Sequence, residues 1–138
     1  MVLLLCYSAV AKAEGEEAVL QLSIAPLEGS RVQDGQLLGR GRVMCAKEHN
    51  TFHVWMAPEY LAPDLQSYLL YLTDNNQAKL HIRLQGQGWQ QAIPPNQGIN
   101  RTGSESSTTF DIISHGDQLL SPGVYSLRLS AACIQSIS

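Results

Sequence analysis

Cys45, His49 and His53 are the residues whose types and spacing most suggest chemistry, because they recur at every fourth position. Thiolate and imidazole groups are zinc ligands, and residues four apart share one face of a helix. The flanking segments alternate like strands, however, and residues four apart on a strand lie about 13 Å from one another. We therefore predict no metal site here, and interpret His49 as a loop residue and His53 as a strand residue.

A second candidate is the segment Ser114-His115-Gly116-Asp117, which contains the residue types of a catalytic triad. Neighbours within one loop do not converge on a substrate, and the sequence has no nucleophile elbow. The segment Asp74-Asn75-Asn76 lacks the glycine and the closing glutamate of an EF-hand loop, and a turn explains it better. The sequence thus predicts a non-enzymatic protein with no catalytic residues, metal or cofactor.

The first thirteen residues, MVLLLCYSAVAKA, predict a signal peptide. An apolar run from Val2 to Val10 precedes the small-x-small triplet Ala11-Lys12-Ala13, so residues 1–13 would be removed and a mature domain would span residues 14–138. No Lys or Arg precedes the apolar run, which leaves the true translation start open. The run is too short to span a bilayer, and polar residues interrupt every later segment, so we predict export without membrane insertion.

Export also determines what the cysteines do. Cys6 would leave with the signal peptide, and the remaining pair, Cys45 and Cys133, would meet an oxidising compartment in which only one pairing exists. A bridge enclosing 87 residues would stabilise the fold by about 4 to 5 kcal/mol in the chain-entropy description. We therefore predict a disulfide between Cys45 and Cys133.

Size and charge narrow the functional classes. Removing 13 of the 138 residues leaves 125, enough for one domain. Nine Lys and Arg residues stand against twelve Asp and Glu residues, and no basic cluster is present. A nucleic-acid partner is therefore not expected.

The elements that must position these residues are short strands divided by turns. The segment Lys79–Gln85 alternates, with Leu80, Ile82 and Leu84 on one face. The segment Val124–Cys133 alternates as well, after the turn Ser121-Pro122-Gly123. Weaker strands are predicted at Ala18–Ala25, Leu38–Ala46, Thr51–Met56, Tyr68–Thr73 and Thr108–Ser114, with one short helical turn between Pro58 and Tyr68.

About seven strands in a chain of this size predict an all-β, immunoglobulin-like sandwich. Cys45 on an early strand and Cys133 on the last would tie the two sheets together. Trp55 would follow as a core tryptophan, as in immunoglobulin domains. Ala131 stands where a tyrosine corner is expected, two residues before the second cysteine. We therefore predict immunoglobulin-like architecture without an antibody-type domain.

A complete sandwich of this kind has a further strand, yet only five residues follow Cys133. We expect an open edge beside the last strand, which a neighbouring subunit would complete by donating a strand. The acceptor groove would be lined by Leu20, Leu22, Ile24, Tyr125, Leu127, Leu129 and Ala131. Alternatively, Val19–Ile24 fills the gap from within, and the protein is a self-complete secreted binding domain outside any fibre.

Several strings resemble the Afa/Dr-type fimbrial invasin family. The segment Gly41–Met56 is similar to the family's stretch GR-hydrophobic-C-x-x-x-H-x-x-FHVWM. Gly86-Gln87-Gly88-Trp89 is similar to its G-x-G-W, and Phe110-Asp111-Ile112 to its F-D-hydrophobic string. Ser121–Tyr125 and Ala131-Ala132-Cys133 are similar to its P-G-x-Y and its terminal G-A-C. Saf-type tip subunits of enteric bacteria are similar too.

This resemblance implies a tip adhesin or invasin exported through the periplasm to the bacterial surface. Its implied partners are a periplasmic chaperone, an outer-membrane usher, an adjacent fimbrial subunit that supplies the donor strand, and a host-cell surface receptor. Only Glu14–Glu17 would precede the first predicted strand of the mature chain, so we expect this subunit to accept a strand without donating one. Trp89, on a glycine-bearing segment, is either a receptor contact or part of the core rim.

Overall fold

The computed structural model describes residues 9–15, 18–25, 30–64, 66–72, 79–92, 98–121, 123, 125 and 127–135. Its strands form two five-stranded sheets and one small two-stranded sheet. The first sheet has the order β1 (Ala9–Gly15), β12 (Leu127–Ile134), β5 (Thr51–Met56), β9 (Ile99–Thr102) and β8 (Trp89–Gln91). The second has the order β2 (Ala18–Ile24), β4 (Leu37–Cys45), β10 (Ser107–Ser114), β7 (Lys79–Gln85) and β6 (Tyr68–Tyr71). The small sheet pairs β3 (Arg31–Val32) with β11 (Gln118–Leu119).

All seven predicted strands are present, and the all-β, immunoglobulin-like assignment is confirmed. The strands at Thr51–Met56 and Lys79–Gln85 have the predicted limits, and the others shift by a few residues at their ends. The helical turn is a single 3₁₀ turn at Pro58–Tyr60, which begins directly at a proline. Strands β3, β8, β9 and β11 were not predicted, because they are short and carry few apolar residues.

The core lies between the two large sheets and follows the alternation of the strands. Leu80, Ile82 and Leu84 are all buried, as predicted for their face of β7. Phe110 on β10 lies directly across from Gly41 on β4, and its ring occupies the space above the glycine. A side chain at position 41 would collide with that ring, so the glycine and the phenylalanine form one packing unit.

The prediction for Trp55 was wrong. On β5 the buried residues are Phe52, Val54 and Met56, so Trp55 points away from the core and stacks on His53 with ring centroids 4.6 Å apart. The reason is the period of two along a strand, which places Trp55 on the face opposite its two neighbours.

The disulfide between Cys45 and Cys133 is confirmed, with the two Cα atoms 6.0 Å apart. Cys45 ends β4 in the second sheet, and Cys133 lies near the end of β12 in the first. The bridge therefore joins the two sheets across the core.

A tyrosine performs the corner role at a position that the sequence analysis did not consider. Tyr125 is buried, and its hydroxyl donates to the carbonyl oxygen of Ser121 at 3.1 Å. It thereby fastens the segment that leads into β12 to the turn before it. The expected position, two residues before the cysteine, holds the fully buried Ala131 instead.

Candidate functional site

The edge of β12 that faces away from β5 is the feature on which the predicted assembly depends. One side of β12 pairs antiparallel with β5, from Leu129 opposite Met56 to Ile134 opposite Thr51. The other side pairs with β1, and this is the one parallel pairing among the described strands. Its register runs from Ala9 beside Leu127 to Gly15 beside Cys133. In this chain the edge is covered along nearly its whole length.

The incomplete sandwich was predicted for residues 14–138, and in the full chain Ala9–Gly15 lies along the edge beside the last strand. The alternative filler, Val19–Ile24, was wrong, because that segment pairs with β4 in the other sheet, from Ala18 beside Cys45 to Ile24 beside Gly39. Residues 9–13, which belong to the predicted signal peptide, provide most of the covering strand, and residues 1–8 lie outside the described part of the chain.

Most of the predicted groove residues lie on β12 and β2, the two strands that β1 contacts. Leu127, Leu129 and Ala131 of β12 are each 1% exposed or less and face the core. Tyr125, equally buried, precedes β12 and forms a β-bridge with Leu72. Strand β2 supplies the facing wall, with Leu20 buried and with Leu22 and Ile24 packed against the core. Strand β1 contacts both β12 and β2, so it lies over the seam between the two sheets. A strand at this position closes the sandwich.

Trp89 lies at the start of β8 and packs against the rim of the core. Its ring meets Phe110 edge to face at 5.7 Å, and its indole N–H donates to the carbonyl oxygen of Thr109 at 2.8 Å. Part of the ring remains accessible. The packing accords with the core-rim interpretation, and a receptor contact through the accessible part stays a prediction.

The three residues of the first metal candidate, Cys45, His49 and His53, lie in three different environments. Cys45 is bonded to Cys133. His49 is buried, with Nδ1 2.7 Å from the Lys47 carbonyl oxygen and Nε2 2.7 Å from the Glu105 carbonyl oxygen. His53 lies on the outer face of the first sheet. Structural hydrogen bonds thus account for His49, which is more buried than the loop interpretation implied.

The triad-like segment does not assemble into a triad. The buried Ser114 hydroxyl donates to the Gly116 carbonyl oxygen at 2.7 Å. Asp117 accepts the backbone N–H of Asp34 at 2.8 Å, and His115 turns toward Asp64. Each side chain serves a separate contact. The Asp74-Asn75-Asn76 turn lies outside the described residues.

A cluster that the sequence analysis missed lies at one end of the second sheet. Asp64, His81 and His115 each offer one ligand atom, and these atoms all lie within 4.8 Å of one another. The Nε2 atom of His115 is 3.5 Å from Oδ2 of Asp64, and the two imidazole rings have centroids 4.4 Å apart. No sequence spacing could have revealed the cluster, because its residues are up to 51 positions apart.

The protonation states in this cluster have identifiable causes. Desolvation lowers the pKa of His81, and the neighbouring His115 lowers it further. Desolvation raises the pKa of Asp64, but the N–H groups of Gln66 and Ser67 and the Ser67 hydroxyl outweigh it, so that the net shift is downward. At neutral pH, His81 is therefore neutral and Asp64 is ionised.

No helix in the described part of the chain is long and apolar enough to cross a membrane.

Comparison with known proteins gives a consistent assignment. The family described as Enterobacteria AfaD invasin protein matches residues 28–131. Protein AfaD of Escherichia coli is 30% identical over 133 residues, which cover 96% of this chain and 87% of AfaD. Protein AggB of Escherichia coli is 33% identical over 112 residues, which cover 78% of this chain and 74% of AggB.

Solved structures agree. HdaB, the minor tip subunit of the E. coli Hda pilus, has a TM-score of 0.80 at 28% identity, covering 87% of this chain and 85% of its own. A structure from the fibronectin-binding, biofilm-forming AAF fimbriae of enteroaggregative E. coli has a TM-score of 0.74 at 29% identity, covering 86% and 88%. The Salmonella SafD adhesin has a TM-score of 0.76 at 21% identity, covering 87% and 89%, which shows a shared fold.

These relatives are fimbrial subunits and adhesins rather than enzymes. The predicted resemblance is confirmed on both counts, through the AfaD match and through the SafD fold. The sheet-joining disulfide and the β12 edge agree with this resemblance. The family match and the 30% identity to AfaD show that the chain belongs to the AfaD invasin family of fimbrial adhesin and invasin subunits.

Proposed function

We propose that this protein is a fimbrial tip subunit that a partner completes at the β12 edge and that then engages a receptor on host cells. The observation that carries the proposal is the origin of β1. Five of its seven residues, 9–13, fall within the predicted signal peptide. Cleavage after Ala13 would leave only Glu14 and Gly15 beside β12.

The consequence of that cleavage follows from the register. Backbone groups of β12 that now bond to residues 9–13 would lose their partners, and the seam between β12 and β2 would lose its cover. Unpaired strand edges over an apolar core bind another strand or aggregate. A donor strand from a neighbouring subunit would fill the gap in the fibre, and a chaperone strand would fill it during export through the periplasm to the usher.

Donor-strand completion is testable with the mature chain. Residues 14–138 would be refolded alone and with an excess of a peptide of alternating apolar residues, and matched controls would replace those residues with serine. We expect aggregation or a low melting temperature alone, and a monomer with a much higher melting temperature after uptake of the apolar peptide. A monomeric, equally stable mature chain that takes up no peptide would refute the proposal.

The self-complete domain outside a fibre is the second candidate, and one observation favours it: β1 already fills the edge. The two candidates differ in the N-terminus of the exported protein. Intact mass spectrometry of protein recovered from the cell surface distinguishes them directly. A chain that begins at Glu14 supports donor-strand completion, whereas a chain that retains Ala9–Ala13 supports the self-complete domain.

Receptor binding is proposed from the relatives. AAF fimbriae bind fibronectin, and this chain shares 29% identity with a subunit structure from that system. Fibronectin is therefore the first host protein to test, using the peptide-completed mature chain. Trp89→Phe keeps an aromatic ring beside Phe110, so weaker binding by this variant at unchanged melting temperature would assign Trp89 to the contact surface. Undiminished binding would remove it from that surface.

A further inference from the structure

We propose that Asp64, His81 and His115 form a binding site for a divalent transition-metal ion, with Zn²⁺ as the ion best suited to the ligand set. Two imidazoles and one carboxylate make up a common three-residue zinc site, which leaves a fourth position for water or a partner's ligand. The candidate atoms lie within 4.8 Å of one another. Metal–ligand bonds of about 2.0–2.1 Å place neighbouring ligand atoms about 3.4 Å apart, so the existing 3.5 Å between Asp64 Oδ2 and His115 Nε2 needs almost no adjustment.

The three ligands stand on separate elements that the fold holds in place. His81 is on β7, and its backbone N–H and carbonyl both bond to the side chain of Gln118. His115 follows β10, and its backbone N–H donates to the His81 carbonyl oxygen at 2.9 Å. These contacts fix the two histidines relative to each other before any ion arrives, which reduces the entropy lost on binding.

Outer-shell contacts hold the carboxylate of Asp64. The N–H groups of Gln66 and Ser67 each donate to its Oδ1 at 3.0 Å. The fully buried Ser67 hydroxyl lies 2.8 Å from both carboxylate oxygens and 2.6 Å from Nε2 of His81. Metal sites depend on such contacts to orient their ligands.

The surrounding charges also admit a cation. Arg83 is the nearby positive group, and its guanidinium is 3.0 Å from Asp34 and 3.3 Å from the Ser114 carbonyl oxygen. Asp34 offsets the arginine, and the carboxylate of Asp64 supplies a negative charge within the cluster. Asp64 and His115 keep 44% and 36% of their side chains accessible, so an ion can enter from solvent.

A contact between Arg83 and His115 competes with metal binding. Its Nη1 is 3.3 Å from Nδ1 of His115. Metal binding through Nε2 places the His115 proton on Nδ1, which turns this contact into one between two donors. The guanidinium must then give up this contact while it keeps the one to Asp34. Removing the arginine is therefore expected to tighten metal binding.

The test is calorimetric titration of the untagged, disulfide-bonded full chain with ZnCl₂, with Co²⁺ absorption as a report of coordination geometry. We expect about one ion per chain and a rise in melting temperature with Zn²⁺. His115→Gln and Asp64→Asn should each weaken binding by about tenfold or more, because loss of an outer-shell partner alone is worth about 10–100-fold. Arg83→Gln should tighten it.

His53→Gln is the matched control, since His53 lies on the other sheet and stacks on Trp55. It should bind Zn²⁺ like the parent chain. Circular dichroism and metal-free melting temperatures identify any variant that fails to fold. Absence of binding by the parent chain would overturn the proposal. Unchanged Zn²⁺ binding by the folded His115→Gln and Asp64→Asn variants would also overturn the proposal. Loss of Zn²⁺ binding in the His53→Gln control would do the same.

Discussion

Removing the disulfide is the perturbation whose magnitude follows most directly from the structure. The bridge joins residues 88 positions apart. A loop of that length restricts the unfolded chain by about 15 cal/mol/K, which is about 4.6 kcal/mol at 25 °C in the chain-entropy description. Because small domains are stable by about 5–15 kcal/mol in total, this is a large share. Cys45 is also buried, and its lost packing adds in the same direction.

Urea unfolding of the Cys45→Ala/Cys133→Ala double variant measures this contribution. A Cys6→Ala background in both proteins prevents the third thiol from exchanging with the bridge. With a urea m-value of about 1–3 kcal/mol/M, the unfolding midpoint should fall by about 1.5–4.6 M. The m-value should rise, because the unbridged chain exposes more surface when it unfolds.

A loss of stability below about 1 kcal/mol would refute the entropic account. An unchanged m-value would indicate that the unfolded chain is equally compact with and without the bridge. Chemical reduction of the parent chain should reproduce the double variant, and a difference between the two would assign part of the loss to the substitutions themselves.

Three further predictions concern single contacts, each measured by urea unfolding. Gly41→Ala should destabilise the fold by about 1–3 kcal/mol, since the new Cβ meets the Phe110 ring. Phe110→Leu should remove much of that penalty, and additive effects of the two changes would contradict the clash. Tyr125→Phe removes the hydroxyl hydrogen bond and should lower the free energy of unfolding by about 0.5–1.5 kcal/mol. An unchanged free energy of unfolding would contradict the corner role of Tyr125. The side-chain hydrogen bond from Arg101 lowers the pKa of Glu105, so the ion pair's stabilisation is present above the ordinary pKa of a glutamate and is lost as pH falls through the lower pKa of the folded state. Glu105→Gln should flatten that acidic loss, whereas the control Glu48→Gln should retain it.

Sequence reasoning succeeded where one short pattern determines the structure. The alternation of Lys79–Gln85 identified both the strand and its buried face, and the cysteines identified the bridge. The Trp55 error came from an analogy that overrode the same alternation, since Phe52, Val54 and Met56 already define the inner face. The alternation was the stronger guide.

Other features depend on pairings that no local pattern reveals. The cluster of Asp64, His81 and His115 forms because β10 pairs with β7, which places Ser114 beside Ile82. The β6–β7 pairing places Tyr68 beside Ile82 as well. Strand β1 was missed for another reason, because a short run of small apolar residues is typical both of a signal peptide and of a strand.

The position of the disulfide has a mechanical consequence. In the proposed fibre, a pull along the chain axis would load β12 in shear through the strand beside it. Cys133 lies next to the end of β12, so tension passes through a covalent link into β4, the second strand of the opposite sheet. The two sheets then share the load, and β12 cannot peel away from the core alone. Under flow, the weakest joint would be the hydrogen-bonded seam between subunits rather than the body of the domain.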